Sequence, residues 1–372
     1  MTRAVAYFGT YDPGYPRSAV VIAGLRELGV TVHEVRAPLP PLTAVEMTTP
    51  RGAARLVAAL AAAHVALLAQ LRGRVPVDAL IVGYPGHFVV PLGRAVAVLL
   101  HTRLVFDPLV SLADTFAGDR GLVAEGGWKA RAVRAVDRAA FALPDLVLAD
   151  TRAHAAYFQS AFSVPDRRLA VVPVGALPTP SADGSARRLQ AGEPLRVFLY
   201  GKWSPLHGAE TVVEAACLLR HEPFRFVLAG EGQLSARLRG LIASRQLANV
   251  EWLDALAPAF LRTQALAADV CLGVFGSSEK AARVVPNKVY EALSCGRPVI
   301  TADTPGARET LRDRVNAVLV PTADAELLAE ALRDLLDGGA RARLGNGALA
   351  LYRRSLTPSA VAATLLTALE RL

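Results

Sequence analysis

Val284-Val285-Pro286-Asn287-Lys288-Val289-Tyr290-Glu291-Ala292-Leu293-Ser294-Cys295-Gly296-Arg297-Pro298-Val299-Ile300-Thr301 reads as a helix, a tight turn and a strand. Proline suits the first turn of a helix, where its fixed φ fits and its missing N–H would be unpaired, and glycine suits the left-handed residue after the last turn. Pro286 and Gly296 therefore bracket a helix of about three turns. The β-branched run Val299-Ile300-Thr301 then predicts a short buried strand. Residues three and four apart share a helix face, so Val289, Ala292 and Leu293 fall on one side and Asn287, Lys288 and Glu291 on another. A helix N-terminus carrying a lysine, with a carboxylate one turn in, can hold an anion beside a polyol. The same residues also describe a Lys288–Glu291 surface pair, worth only ~0.5 kcal/mol.

Outward from this stretch, strand-like and helix-like segments alternate through both halves of the chain. Upstream in the second half come strands at Arg196–Tyr200, Arg225–Ala229, Val250–Leu253 and Val270–Val274, with helices at Glu210–Arg220, Leu234–Ser244 and Phe260–Ala267. The first half predicts strands at Ala4–Phe8, Thr31–Val35, Ala79–Val82, Leu104–Phe106, Leu146–Ala149 and Leu169–Val172. Helices are expected at Arg17–Leu28, Leu56–Leu71, Leu92–Leu100 and Gly127–Leu143. Between the halves, Pro178, Pro180, Gly184 and Pro194 break the periodicity. A chain of 372 residues also exceeds the comfortable size of one core. The expected fold is α/β, with two Rossmann-like parallel-sheet domains facing a cleft. Their bounds are 1–175 and 195–358 with a linker at 176–194, and a last helix at 359–372, begun by Thr357-Pro358, that packs back on the first domain.

The net charge of +8 and pI near 9.7 admit anionic partners. Nucleic acid is not expected, because aromatics are only 6% and no basic arm or nucleic-acid motif occurs. Phosphorylated small molecules or a membrane surface fit better. Arg131, Arg134 and Arg138 line one side of their helix, as a solvated face or a stripe for anionic lipid. The longest apolar stretch, Leu56 to Leu71, contains His64 and Gln70 and falls short of a spanning helix. It predicts a buried Ala-rich helix, with an interfacial helix as the other option. Cys217, Cys271 and Cys295 lack metal-ligand spacing and read as core residues of a reducing compartment. The first residues read as a strand and not as a signal peptide, so a cytoplasmic protein is expected. Lysines are confined to Lys129, Lys202, Lys280 and Lys288 in a chain otherwise rich in arginine, and three of them, Lys202, Lys280 beside Glu279, and Lys288, fall in the segments placed at the site.

The second half opens with Tyr200-Gly201-Lys202-Trp203-Ser204-Pro205-Leu206-His207-Gly208, a strand end and a glycine-bounded, cationic turn before a helix. Backbone N–H groups, the helix dipole and Lys202 can cradle a diphosphate there, although an ordinary strand-to-helix turn looks alike. Ala229-Gly230-Glu231-Gly232 is a second such turn, where glycine allows close approach of a ligand. These two turns, Ala268-Asp269-Val270, the segment Glu291–Val299 and Gly306 to Glu309 follow in the order of a known domain. The second half resembles the nucleotide-sugar-binding domain of retaining glycosyltransferases with the GT-B fold. That large family includes sucrose synthases and lipid-glycan mannosyltransferases, and the chain resembles a variant with a Pro-x-Lys-x-x-Glu donor motif. In the first half only the strand rhythm, the Gly9 loop and Asp145–Asp150 are similar.

The resemblance implies transfer of a sugar from a nucleoside-diphosphate sugar to a glycan, lipid or small-molecule acceptor, with retention at the anomeric carbon. It implies no metal and no cofactor beyond that donor substrate. Glu291 matches the carboxylate on the donor ribose, and Lys202 a cation on the phosphates, while His207 stands where the family usually has lysine. The family's first carboxylate would stand eight positions before Glu291, where this chain has Arg283; Glu279, four positions earlier, is the substitute if the loop bulges. Lys288 and Asn287 are expected on the diphosphate or sugar, with Gly201, Gly208, Gly230 and Glu231 lining the donor. Asp107, with Lys202 and Lys288, is assigned to the reacting centre. Gly9, Thr10, Tyr11, Asp12, Arg17, Tyr84 and His87 are assigned to the acceptor. The departures at Arg283 and Phe106 also admit a catalytically degenerate nucleotide-sugar-binding subunit, and the fold admits a nucleotide-sugar 2-epimerase or hydrolase. Partners implied are a nucleotide sugar, an acceptor and a peripheral contact with membrane or a lipid-linked acceptor.

Overall fold

The computed structural model describes residues 2–372 except 41–43, 48, 72–75, 125, 180, 181, 186, 188, 191 and 256. The chain divides into two compact units, Met1–Val174 with Thr357–Leu372, and Gly175–Leu356.

The first unit runs β1 (Ala4–Gly9), α1 (Pro16–Glu27), β2 (Thr31–Arg36), α2 (Ala44–Met47), α3 (Pro50–Gln70), β3 (Ala79–Val82) and α4 (Val90–Leu99). It continues with β4 (Arg103–Phe106), α5 (Trp128–Ala142), β5 (Leu146–Ala149), α6 (Arg152–Phe162) and β6 (Leu169–Val171). The strands form one parallel sheet in the order β2-β1-β3-β4-β5-β6. Alternate residues of these strands, among them Phe8, Val82, Phe106 and Val147, point into a core filled by α3, α4, α5 and α6. Four helices thus cover one face of the sheet.

Within that layer α3 departs from the expected buried helix. It starts at Pro50, where Thr49 accepts from the Gly52 N–H at 3.1 Å, and only Gly52, Ala63 and Leu67 are buried. Val57 is 67% and Val65 70% exposed. A helix that is apolar all round can turn only one side to a sheet.

The second unit runs β7 (Leu195–Tyr200), α7 (Ala209–Leu218), β8 (Phe224–Ala229), α8 (Ser235–Ser244), β9 (Val250–Leu253), α9 (Pro258–Ala267) and β10 (Val270–Leu272). Then come α10 (Glu279–Arg283), α11 (Asn287–Ser294), β11 (Val299–Ala302), α12 (Pro305–Thr310), β12 (Val318–Val320), α13 (Ala325–Asp334) and α14 (Gly338–Ser355). Its parallel sheet has the order β12-β11-β10-β7-β8-β9. The fold class expected from the sequence, α/β with two Rossmann-like parallel sheets, is the one observed.

The segment 284–301 carries α11 and most of β11. Pro286 is the capping residue and not the first helical one, with φ −73° and ψ 151°, while Gly296 has φ +64° as its left-handed position requires. Nearly the whole of α11 is buried, including Lys288, which removes the surface-pair reading. Helices α10, α12, α13 and α14 and strand β12 were not separated by periodicity; α10, α12 and β12 are short.

Residues 176–194, expected as a linker, group with the second unit. Tyr352 donates to the Ala176 carbonyl at 3.1 Å, the Thr179 and Ser294 hydroxyls lie 3.1 Å apart, and Arg187 pairs with Asp269 at 2.8 Å. Pro180 of that stretch lies outside the described residues. The last helix, α15 (Pro358–Leu369), belongs to the first unit and packs along α1. The approach is close enough that a Cβ on Gly24 would overlap the Pro358 carbonyl.

Candidate functional site

In each sheet the connections reverse direction at one place, between β1 and β3 and between β7 and β10. Open α/β sheets bind ligands at the carboxyl ends of strands beside such a reversal. The loops after β1, β3 and β7 carry Thr10 to Asp12, Tyr84 and His87, and Gly201 to Gly208, with Gly9 at the end of β1, while Asn287, Lys288 and Glu291 lie on α11 and Arg17 on α1.

In the second unit, β7 ends at Tyr200 and the chain turns through 201–208 into α7. Trp203 is fully buried and donates to the Gly230 carbonyl at 2.8 Å, tying this turn to the one after β8. His207 Nδ1 sits 3.3 Å from the Ser204 N–H and 3.1 Å from its hydroxyl, which turns Nε2 toward Gly201. A Cβ on Gly201 would overlap that imidazole and lie 3.1 Å from Lys288 Nζ. Gly201 thus has an imidazole and an ammonium at its open side, and any side chain there would displace them. Gly208 and Gly230 let the turns meet backbone to backbone, against Phe275-Gly276 and Gly201 respectively.

Lys288 is 6% exposed, and its Nζ has no hydrogen-bond partner among the described residues. It stands 5.7 Å from the centroid of the Tyr200 ring, a cation over a π face. Burial pushes the ammonium down to about 7, with Glu291 opposing that shift. Glu291, one turn further along α11, accepts a hydrogen bond from the Tyr200 hydroxyl. Burial raises the Glu291 carboxyl, against the effects of that hydrogen bond and of Arg262 and Lys288. Asn287, the first helical residue, is half-buried, and Lys202 is exposed. An unpaired buried cation beside backbone amides and a half-buried carboxylate is an arrangement for a ligand carrying an anion and hydroxyls.

Gly201, His207, Lys288 and Glu291 are therefore brought together, and two other predicted carboxylates are engaged elsewhere. Glu231 is exposed and pairs with Arg239, which also holds Asp254 at 2.6 Å. Glu279 stands at the start of α10, where Ser278 caps the helix, with its side chain 91% exposed and paired with Arg283 at 3.1 Å. The loop before Glu291 forms a short helix instead of bulging. Tyr200, the hydrogen-bond partner of Glu291, was missed. Its sequence signal was only its place at a strand end before Gly201.

In the first unit the loops after β1 and β3 meet. Thr10 donates to the Pro85 carbonyl at 2.7 Å, and the Tyr15 and Tyr84 rings lie 5.3 Å apart. Gly9 ends β1 with φ +126°. Asp12 accepts from the Gly14 N–H at 2.9 Å, and Tyr11 is buried with its hydroxyl on Glu34 at 2.9 Å. His87 is buried edge-on against Phe106 at 5.1 Å, and burial pushes its imidazole down to about 4. Arg17 and Asp107 form a buried ion pair at 2.7 Å, and Arg17 also donates to the Val172 and Pro173 carbonyls. Asp107 is thus an internal counter-charge and not an open carboxylate. Tyr11, Arg17 and His87 are likewise internal, for the same reason: each reaches a partner or packs within the sheet edge.

Residues 194–338, within the second unit, match the family described as glycosyl transferases group 1. The chain is 32% identical over 241 residues to a D-inositol 3-phosphate glycosyltransferase of Xylanimonas cellulosilytica, covering 60% of this chain and 56% of that protein. The chain thus spans just over half the length of this relative. Its fold is that of Anabaena HepE, solved in complex with UDP and glucose, with a TM-score of 0.66, 17% identity and complete coverage of both chains. It is also that of sucrose-phosphate synthase from Thermosynechococcus elongatus, with a TM-score of 0.70, 18% identity and coverage of 99% and 98%.

Proposed function

We propose that this chain is a retaining glycosyltransferase that moves a sugar from a nucleoside-diphosphate sugar to an acceptor. The observation that carries the reading is Lys288, a buried ammonium with no hydrogen-bond partner among the described residues, held beside Gly201 and one turn from Glu291. Glu291 accepts from the two vicinal ribose hydroxyls of the donor. Lys288 meets the diphosphate, with the N-terminus of α11 and the exposed Lys202 adding positive potential. In the reaction the bond between the sugar and the diphosphate breaks while the acceptor oxygen bonds to the anomeric carbon on the same face. The departing phosphate takes the acceptor proton, and the cations stabilise the charge that develops on it.

We assign no metal or further cofactor to the step, a cytoplasmic location to the chain, and a lipid-linked or membrane-proximal acceptor as the class to test first. Thr10, Asp12 and Tyr84, at the meeting of two loops in the first unit, are the acceptor-side candidates that remain near the surface or on loop contacts. Arg283 in place of a sugar-holding carboxylate keeps a binding subunit as the second reading.

The test is a thermal-shift screen with uridine, guanosine, adenosine and thymidine diphosphate sugars, followed by an acceptor panel and NMR of the product's anomeric proton. UDP-glucose comes first, because HepE has also been solved with it. One donor should raise the unfolding temperature by mass action, and Glu291→Ala should abolish that shift. A shift that survives Glu291→Ala refutes the site; binding without transfer to any acceptor favours the binding subunit.

A further inference from the structure

We propose that the helical layer α3–α5 of the first unit is a docking surface for an anionic lipid bilayer. This gives the membrane contact considered above a place in the fold, and it stands on observations independent of the donor site. All three helices pack into one core against the same face of the sheet, through Ala63 and Leu67 of α3, Val96 and Ala97 of α4, and Ala140 and Phe141 of α5. Their outer sides are unlike those of a solvated layer.

From Val57 to Ala69 the exposed side of α3 carries no charge and is built of alanine with Val57, Val65 and Leu68. The helix has the length and apolarity to cross a membrane, but Ala63 and Leu67 hold it against the sheet. It therefore lies along an interface instead of spanning one. At the end of α4, Val98 is 64% and Leu99 75% exposed. At the start of α5, Trp128 is 74% exposed, and Arg131, Arg134 and Arg138 follow it on the outer side. None of these three arginines pairs with a carboxylate among the described residues. The one acid in α5, Asp137, is buried and accepts from the Ser111 hydroxyl and the Leu112 and Ala113 N–H groups.

Apolar area with an exposed tryptophan and unpaired cations beside it is the chemistry of the headgroup boundary of an anionic leaflet. Charge argues against a second copy of the chain, since face-to-face pairing would set the arginine rows against each other.

The full chain is floated with phosphatidylcholine vesicles, with and without phosphatidylglycerol, and the emission of Trp128 is followed. Trp203 is fully buried and Trp252 partly so, and a Trp128→Phe variant identifies the Trp128 signal. The expected result is binding to the anionic vesicles, weakening with salt, with a blue shift that Trp128→Phe abolishes. Replacing Arg131, Arg134 and Arg138 by glutamine should lower the partition constant about fivefold per cation, or about 100-fold together. Replacing Val57, Val65 and Leu68 by serine should weaken binding at every salt concentration. Calorimetry with the nucleotide sugar should be unchanged in both variants, so failure here leaves the donor site untouched. Equal binding to both vesicle types, no binding, or wild-type partitioning of the arginine variant overturns the proposal. So does a chain dimer that the serine substitutions dissociate. If a triple variant fails to fold, the wild-type emission decides: no blue shift with anionic vesicles refutes the surface.

Discussion

Lys288 gives the proposed donor site a pH dependence. Its ammonium is pushed by burial from 10.5 down to about 7, so the unliganded site gives up this proton far more readily than a lysine in water. A bound diphosphate supplies the missing counter-charge and restores the cation, so binding above that pH must take up a proton. Each pH unit above the pKa then costs about tenfold in affinity, ~1.4 kcal/mol. Between pH 7 and pH 9 the expected loss is roughly 50-fold, and at pH 8 close to one proton enters per ligand bound. The assay is titration calorimetry with the nucleotide sugar, whose diphosphate does not titrate in this range, in two buffers of different ionisation enthalpy. The groups around the ammonium are Glu291, the Tyr200 ring and His207 Nε2. A parallel titration of His207→Gln separates any contribution of the imidazole from that of the ammonium. Lys288→Gln should bind weakly and lose the slope. An affinity flat from pH 7 to 9, or a slope that persists in Lys288→Gln, refutes the reasoning. The unliganded protein should behave oppositely. Between about 7 and 10.5 the unfolded chain binds this proton and the folded chain does not, so the contribution of Lys288 to stability rises with pH across that window.

Other substitutions test the geometry in different ways. Tyr200→Phe keeps the ring beneath Lys288 but removes the hydroxyl on Glu291, and should weaken nucleotide-sugar binding about tenfold, ~1.5 kcal/mol, in calorimetry. Unaltered affinity would show that Glu291 needs no such support. Gly201→Ala should remove nucleotide binding, because its methyl would overlap the His207 imidazole. A variant that still binds with wild-type affinity would place the ligand elsewhere. Asp107→Asn leaves Arg17 buried without its counter-charge and should cost ~3–5 kcal/mol in denaturant unfolding, with activity lost only through folding. A stable but inactive Asp107→Asn would return that residue to the reacting centre. Gly24→Ala should lower the unfolding temperature by forcing α1 from α15, a change of ~1–3 kcal/mol, and a normal melting curve would contradict the observed approach.

The sequence by itself determined the alternation of strands and helices in the strand-rich part of both units, and the extent of α11 to within a residue at its start. It also placed Lys288 and Glu291 one turn apart at the start of a helix beside a glycine-bounded turn. These are local properties, set by the helical period, by proline and glycine backbone preferences and by β-branched runs. What only the tertiary structure decided is the electrostatic character of those residues. Lys288 is not a surface partner of Glu291, because a helix buried almost all round takes its ammonium out of water. The partner of Glu291 comes from Tyr200, 91 positions away, which no spacing rule could supply. Glu279 turned to an arginine of its own helix and Glu231 to one on the helix that follows it, and Asp107 was drawn inward by an arginine 90 positions earlier. The same holds for α3, whose apolar composition was legible but whose exposure depended on how little of its circumference the sheet could cover. Charge state and exposure are set by contacts between distant segments, and those exist only once the chain has folded.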